Sequence, residues 1–393
     1  MLSGMRPAVI AALIAAWLLS AFTDAERQPA RWAGLVHLPG VVDVGGPRSD
    51  GQVVVSGGSR LYLLDRSTVT LMPFAGGPGG YTGGGGDEPY LAVSPGGRVP
   101  GAGCGFAPDD VYVLRPSAAE VVRVGADGRA RRFARLSGVQ SLNGIAFDTA
   151  GRFGHRLLVI GHGRGGNVVV AIDCRGQATT VTASAPAMEG GIAVAPPGFG
   201  AFAGDLVAPD ELSGRILAVR PDGSTAVVAD SGLPAGQDLG VEGLGFVPPG
   251  FADGGIALFS DRSTPGNPHP GTGSLLALDA RSLLGAGVRE GDLLVATEGG
   301  ARTIVVRCSS SCRVAPVAEG PAPAHGEGHL LLVADHPGPP PPDLPVASGL
   351  GSAARPLPGT PATYLAAGLS FAAVVAGLIL LGLLWMRRRR RSP

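Results

Sequence analysis

The sequence contains no lysine: its 31 basic residues other than histidine are all arginine, set against 31 acidic ones in 393 residues. Without that lysine the glycine-rich stretch GGPGGYTGGGG, Gly76 to Gly86, cannot be a phosphate loop, which needs a Lys-Ser/Thr pair opening a helix. It reads instead as a surface loop. There is also no GxSxG elbow, no HExxH and no CxxC, which removes most serine-hydrolase and zinc-enzyme chemistries. Aromatic residues are scarce at 5% and charged ones at 16%. Between residues 35 and 335 no stretch has the 3.6-residue apolar period of an amphipathic helix.

Both ends carry apolar runs that look like delivery signals rather than parts of a core. Arg6 precedes PAVIAALIAAWLLSAF and then Thr23-Asp24-Ala25, the pattern of a cleavable export signal over residues 1–25. Tyr364 to Met386 is free of charge, long enough to cross a hydrocarbon layer of about 30 Å. Arg387 to Arg391 follow at once and would hold residues 387–393 in the cytoplasm. The expected organisation is therefore a signal peptide, an exported domain over 35–335, a Pro/Gly/Ala-rich linker over 336–363, and a single membrane span. Setting aside Arg6, Asp24 and the five tail arginines leaves 25 arginines against 30 acidic residues outside. Nothing in that balance suggests a nucleic-acid partner.

Four cysteines in an exported chain imply disulfides. Cys308 and Cys312 form a tight local pair, which leaves Cys104 for Cys174. No further ligand is grouped with either pair, so a structural role is expected rather than a metal site.

The exported part is a series of short Val/Ile/Leu runs separated by Gly, Pro and Asp-Gly, an all-β pattern. Three segments align, starting at Arg156, Gly204 and Gly291, and each reads strand, polar loop, strand, tight turn, strand. Asp127-Gly128 and Asp222-Gly223 suit two-residue hairpin turns. In front of such units stand EPYLAV from Glu88, NGIAFD from Asn143, EGGIAV from Glu189 and EGLGFV from Glu242, at intervals of 55, 46 and 53 residues. Four antiparallel strands at that interval are the mark of propeller blades. Six blades are expected, near residues 41–75, 88–136, 143–184, 189–232, 242–281 and 290–335, with Gly328 to Ala334 as a possible closing strand.

In a propeller the innermost strands start at one rim of a central channel, so Glu88, Asn143, Glu189 and Glu242 should meet there. Loops between the second and third strands open on the same face and would bring His162 and Arg164, Asp210 and Glu211, and His269. Three carboxylates and an amide around one axis repel unless neutralised, and calcium or another divalent cation would do so. A polar residue followed by Gly can equally well accept hydrogen bonds from the incoming loop.

Asn143-Gly-Ile-Ala-Phe-Asp148 and the Glu-Gly openings resemble blade starts of NHL and gluconolactonase-like six-bladed propellers. That resemblance implies a channel-mouth divalent metal with Asn143 and Glu189 among its ligands. Leu357-Pro358-Gly359-Thr360, with the apolar span and arginine tail, resembles a cell-wall sorting signal of the LPxTG type. Pro361 stands where that pattern has glycine, which leaves a plain membrane anchor as the reading and wall attachment as the alternative. Two functions are expected from this: an extracellular, membrane-anchored module that binds a ligand or partner, or a metal-dependent hydrolase of lactones or related esters. The sequence names neither a catalytic residue nor the partner.

Overall fold

The computed structural model describes residues 29–84, 88–340 and 342–347, and these form an all-β propeller of six blades. The export signal, the membrane span and the arginine tail expected from the sequence lie outside the described residues. Blades 1 to 4 follow the chain. Their strands are Val41–Gly45, Val53–Gly57, Arg60–Asp65 and Thr70–Phe74; Leu91–Val93, Val111–Arg115, Glu120–Val124 and Ala130–Arg135; Ser141–Phe147, Leu157–His162, Asn167–Ile172 and Ala178–Ala185; and Ala193–Val194, Leu206–Asp210, Arg215–Val219 and Thr225–Asp230.

Blades 5 and 6 depart from the expected boundaries because the chain passes between them. Val241–Phe246 is the inner strand of blade 5, yet it pairs with Leu293–Thr297, followed outward by Thr303–Cys308 and Cys312–Glu319. The intervening strands Gly255–Asp261 and Ser274–Asp279 belong to blade 6, whose inner strand is Gly326–Ala334 and whose outer strand is Ala33–His37. The two blades therefore interlock, and both chain ends contribute to blade 6. Ala30–Arg31 adds a short parallel strand to the rim of blade 5. A ring closed this way covers the edges that a single blade would expose.

The core lies between the blades. Strands that read as continuous apolar runs, such as Leu157–His162 and Asn167–Ile172, are covered on both faces by neighbouring blades. Each fully buried Leu, Ile or Val there contributes about 1.5–3 kcal/mol. Blades 2 and 3 meet through an aromatic cluster in which Phe106 and Tyr112 both stand edge-on to Phe147, with centroids 5.0 and 5.4 Å away. The Cys104–Cys174 disulfide ties the Cys104–Phe106 strand, in a hairpin inserted into blade 2, to a turn of blade 3, and Cys308–Cys312 closes the outer turn of blade 5.

The Asp-Gly turns are not two-residue hairpins. At Gly125 to Arg129 and Arg220 to Ser224 only the glycine has positive φ, 79° at Gly128 and 87° at Gly223. Asp127 and Asp222 instead accept a hydrogen bond from the amide two residues on. These are three-residue loops in which glycine alone takes the left-handed position. Cys174-Arg175-Gly176 has the same form, with Gly176 at φ 81°.

The start of the Pro-rich linker packs on the propeller. Leu344 N donates to Ala150 O at 2.7 Å, Ala347 N donates to Arg152 O at 3.0 Å, and Leu344 packs against the core between blades 3 and 4. Those contacts lie at the ends of the strands opposite the channel mouth.

Candidate functional site

A repeated irregularity in the inner strands points side chains into the channel. The register slips by one residue at the same place in blades 1, 3 and 5, which leaves Val42, Asn143 and Glu242 without a partner across the ladder. A bulge of this kind re-aims a side chain. Glu327 stays paired with Ser260 but precedes a larger register shift in blade 6. Glu88 and Glu189 come just before the shorter inner strands of blades 2 and 4. Blade 1, with Val42, brings no polar group at this level.

A second tier comes from the ends of the second strands in blades 3 to 6. His162 ends its strand, while Glu211, Glu298 and Arg262 follow Asp210, Thr297 and Asp261 directly. The two tiers meet. Arg262 Nη1 pairs with Glu88 Oε1 at 2.5 Å and Glu327 Oε1 at 3.0 Å. His325 Nε2 lies 2.9 Å from Glu298 Oε1 and 3.6 Å from Glu327 Oε1. Tyr90 Oη sits 3.0 Å from Glu242 Oε1 and 3.1 Å from Glu327 Oε2.

A phenol has one proton, so it cannot donate to both of those carboxyls. Glu242 supplies the second proton. Its burial, reinforced by Glu327 and Glu189, raises its pKa well above the usual carboxylate range. Glu88 is raised to about 7, chiefly by repulsion from Glu327 and then by burial, with Arg262 opposing. Glu211 is raised to about 9 by burial and by hydrogen-bonding contact with Glu298 and Glu189. Burial works against the charge of His325, but Glu298 and Glu327 outweigh it and raise the imidazole to about 10.

Six glutamates, at 88, 189, 211, 242, 298 and 327, thus gather around Arg262 and His325. Neither cation pairs with Glu211, whose Oε1 is buried and has no hydrogen-bond partner among the described residues. Asp238 completes a group with Glu298 and His325 in which one ligand atom from each lies within 4.8 Å of the others. That arrangement is suited to a metal ion.

Of the residues singled out in the sequence, the structure brings Glu88, Glu211 and Glu242 each into electrostatic contact with Glu189. Asn143 is beside them, its Nδ2 donating to Met188 O at 2.9 Å and its buried Oδ1 without a hydrogen-bond partner among the described residues. His162 Nδ1 donates to Asn167 Oδ1 at 3.0 Å, and its Nε2 is 3.9 Å from Glu189 Oε2. Asp210 is committed to its own turn, accepting from Ser213 N at 3.3 Å and Ser213 Oγ at 2.5 Å. Arg164 is exposed, and His269 is held at the rim by a hydrogen bond between its Nδ1 and Ala322 O.

Glu298, Glu327, Arg262, His325 and Tyr90 were not singled out. Glu298 was nonetheless legible, because GDLVAPDE and GDLLVATE align Glu211 with Glu298. Glu327-Gly328 repeats the Glu-Gly opening of Glu242-Gly243, but the blade 6 crossover hides it as the start of an inner strand.

Below the mouth the channel is crossed by a buried pair. His329 Nδ1 donates to both carboxylate oxygens of Asp43, at 2.9 and 3.0 Å, and its Nε2 donates to Ile145 O at 2.9 Å. Asp43 also accepts from the amides of Leu91 and His329. Beyond this pair the inner strands enclose a mainly apolar cavity of about 430 Å³.

No protein-family model and no curated protein matches the chain. Among solved structures, it is similar to a calcium-binding protein, regucalcin, from Agrobacterium tumefaciens. The identity is 13%, the TM-score 0.43, and the match covers 76% of this chain and 81% of that one. It is also similar to a putative gluconolactonase, at 10% identity and TM-score 0.41 over 76% and 94% of the two chains. Virginiamycin B lyase from Staphylococcus aureus matches at 10% identity and TM-score 0.39, over 72% of each. All three sit below a TM-score of 0.5, where likeness of overall shape does not extend to the placement of side chains.

Proposed function

We propose that this chain is a propeller-based binding module whose acidic channel mouth captures a cationic ligand, a divalent cation being the simplest. The observation that carries this reading is the excess of carboxyls at the mouth, with Glu211 buried beside Glu298 and Glu189 and no cation paired to it among the described residues. Like charges forced together in a low-dielectric site either hold protons or bind a cation. A divalent ion replaces those protons and relieves the repulsion directly.

The module is proposed to work outside the cell on a membrane anchor. The apolar run at 364–386 and its five arginines support the anchor, and the two disulfides fit an oxidising compartment. Leu344 and Ala347, at the start of the linker, pack on the face opposite the mouth, which suits presentation of the mouth to an extracellular ligand or partner.

The test is thermal unfolding of the full-length chain with chelator and then with millimolar calcium. Ligand at 100 times its dissociation constant adds about 2.7 kcal/mol of stability. The reading predicts a rise of a few degrees that is lost in Glu189→Gln/Glu211→Gln. No rise with calcium or any other cation tried would refute it.

A second reading, hydrolysis of lactones or related esters, draws on Asn143. Its Oδ1 is buried, without a hydrogen-bond partner among the described residues, beside the His162–Glu189 pair. An ion there would polarise a carbonyl while Glu189 or His162 accepted a proton from water. Turnover of sugar lactones that requires a divalent ion and disappears in Asn143→Ala would favour this over binding alone.

A further inference from the structure

Within the mouth, one group differs from the rest in the chemistry of its donors. Glu298, His325 and Asp238 each offer a ligand atom within 4.8 Å of the others, and Glu211 adjoins Glu298. We propose that Glu298, His325, Asp238 and Glu211 form a binding site for a divalent transition-metal ion of the zinc, cobalt or manganese class. The inference rests on the reading of the mouth as a cation site and narrows it to a position and a metal class.

Rigid backbone holds two of the donors. His325 N donates to Asp261 Oδ1 at 2.8 Å, and Arg262 N donates to His325 O at 2.8 Å. Glu298 N donates to Gly240 O and its carbonyl accepts from Gly326 N, both at 2.7 Å. Blades 5 and 6 thus fix these two side chains from both sides of their junction. Asp238, in the loop that leads into blade 5, is exposed and gives the site an open side.

Two buried polar atoms lack hydrogen-bond partners among the described residues, which sets this cluster apart from an ordinary acidic surface. Glu211 is 7% exposed with Oε1 unsatisfied, and His325 is 2% exposed with Nδ1 unsatisfied, among the described residues. A buried polar atom left without a hydrogen bond costs about 1–3 kcal/mol. A bound ion would satisfy Glu211.

Binding a metal there exchanges a proton for the ion. His325 Nε2 and Glu298 Oε1 are 2.9 Å apart and share a proton, whereas tetrahedral ligands ~2.1 Å from an ion are ~3.4 Å apart, so the imidazole is deprotonated and the pair opens slightly as the ion enters. An imidazole with carboxylates suits zinc, cobalt, iron or manganese, whereas calcium takes oxygen ligands alone. The remaining carboxylates, Glu189 above all, stay available to a hard cation.

The test uses the purified full-length chain stripped with chelator and titrated with cobalt(II), followed by visible absorption, with calcium binding measured in parallel. The expected result is one cobalt per chain, with absorption bands that change in His325→Gln and affinity at least tenfold weaker there. Calcium, which takes oxygen ligands alone, should still bind in that variant. If His325→Gln does not fold, Asp238→Asn at the exposed position carries the test, again with at least a tenfold loss for cobalt. Cobalt binding indifferent to both substitutions, with calcium still bound, would overturn this site and leave the broader reading standing. Failure of every cation to bind would overturn both.

Discussion

Tyr90 and Glu242, from blades 2 and 5, meet across the channel with Oη and Oε1 3.0 Å apart, and burial beside Glu327 raises the Glu242 carboxyl so that it holds its proton. A glutamate held neutral in this way should tolerate replacement by its amide. Glu242→Gln is expected to change unfolding free energy by no more than about 1 kcal/mol. Tyr90→Phe, which leaves two buried carboxyls short of a partner, should cost about 1–3 kcal/mol. Urea unfolding of both variants at pH 7 checks the order, and a costlier Glu242→Gln would contradict it.

The same crowding sets the pH dependence. Unfolded glutamate loses its proton near 4.5 and unfolded histidine near 6.5, whereas in the fold Glu211 keeps its proton to about 9 and His325 to about 10. The folded chain therefore binds more protons over that interval. The His325 contribution is fully present below 6.5, the Glu211 contribution below 4.5, and both are lost as pH rises through about 9 to 10. Without added cation, melting temperature should fall by several degrees from pH 5 to pH 9. Glu211→Gln should flatten the fall, and a melting temperature that climbs over this range would count against it.

The two disulfides should contribute unequally. Cys104–Cys174 spans 70 residues and Cys308–Cys312 only 4. Loop-closure entropy then assigns about 4 kcal/mol to the first and much less to the second. Paired Cys→Ser replacements compared by urea unfolding should rank them in that order, and thiol titration of the untreated protein should find no free cysteine.

Asp43→Asn breaks the ion pair with His329 while keeping the shape of the site. Removing one partner of a buried charge pair costs about 3–5 kcal/mol. Thermal unfolding should place this variant among the least stable single changes, and a loss under 1 kcal/mol would show that the pair does not brace the inner strands.

Much of the fold was readable because local signals agreed. Short Val-rich runs and recurring openings at Glu88, Asn143, Glu189 and Glu242 pointed to six blades and to the limits of blades 1 to 4. The crossover between blades 5 and 6 was not readable, since Gly255–Asp261 has the same pattern whichever inner strand it joins. Pairing partner is a tertiary choice that strand periodicity does not encode. The site divides along the same line. Carboxylates that open inner strands were visible, but the partners that decide their charge were not. Arg262, His325 and Tyr90 reach Glu88, Glu298 and Glu242 across sequence separations of 174, 27 and 152 residues.

The most direct test of the account is calorimetric titration of the chelator-stripped full-length chain with calcium and with zinc, repeated on Glu189→Gln/Glu211→Gln. The account predicts saturable binding of at least one of the two ions to wild type and a loss of at least tenfold in the double variant, with its melting temperature in chelator unchanged or higher. Absence of binding to wild type, or equal binding to both proteins, would contradict it.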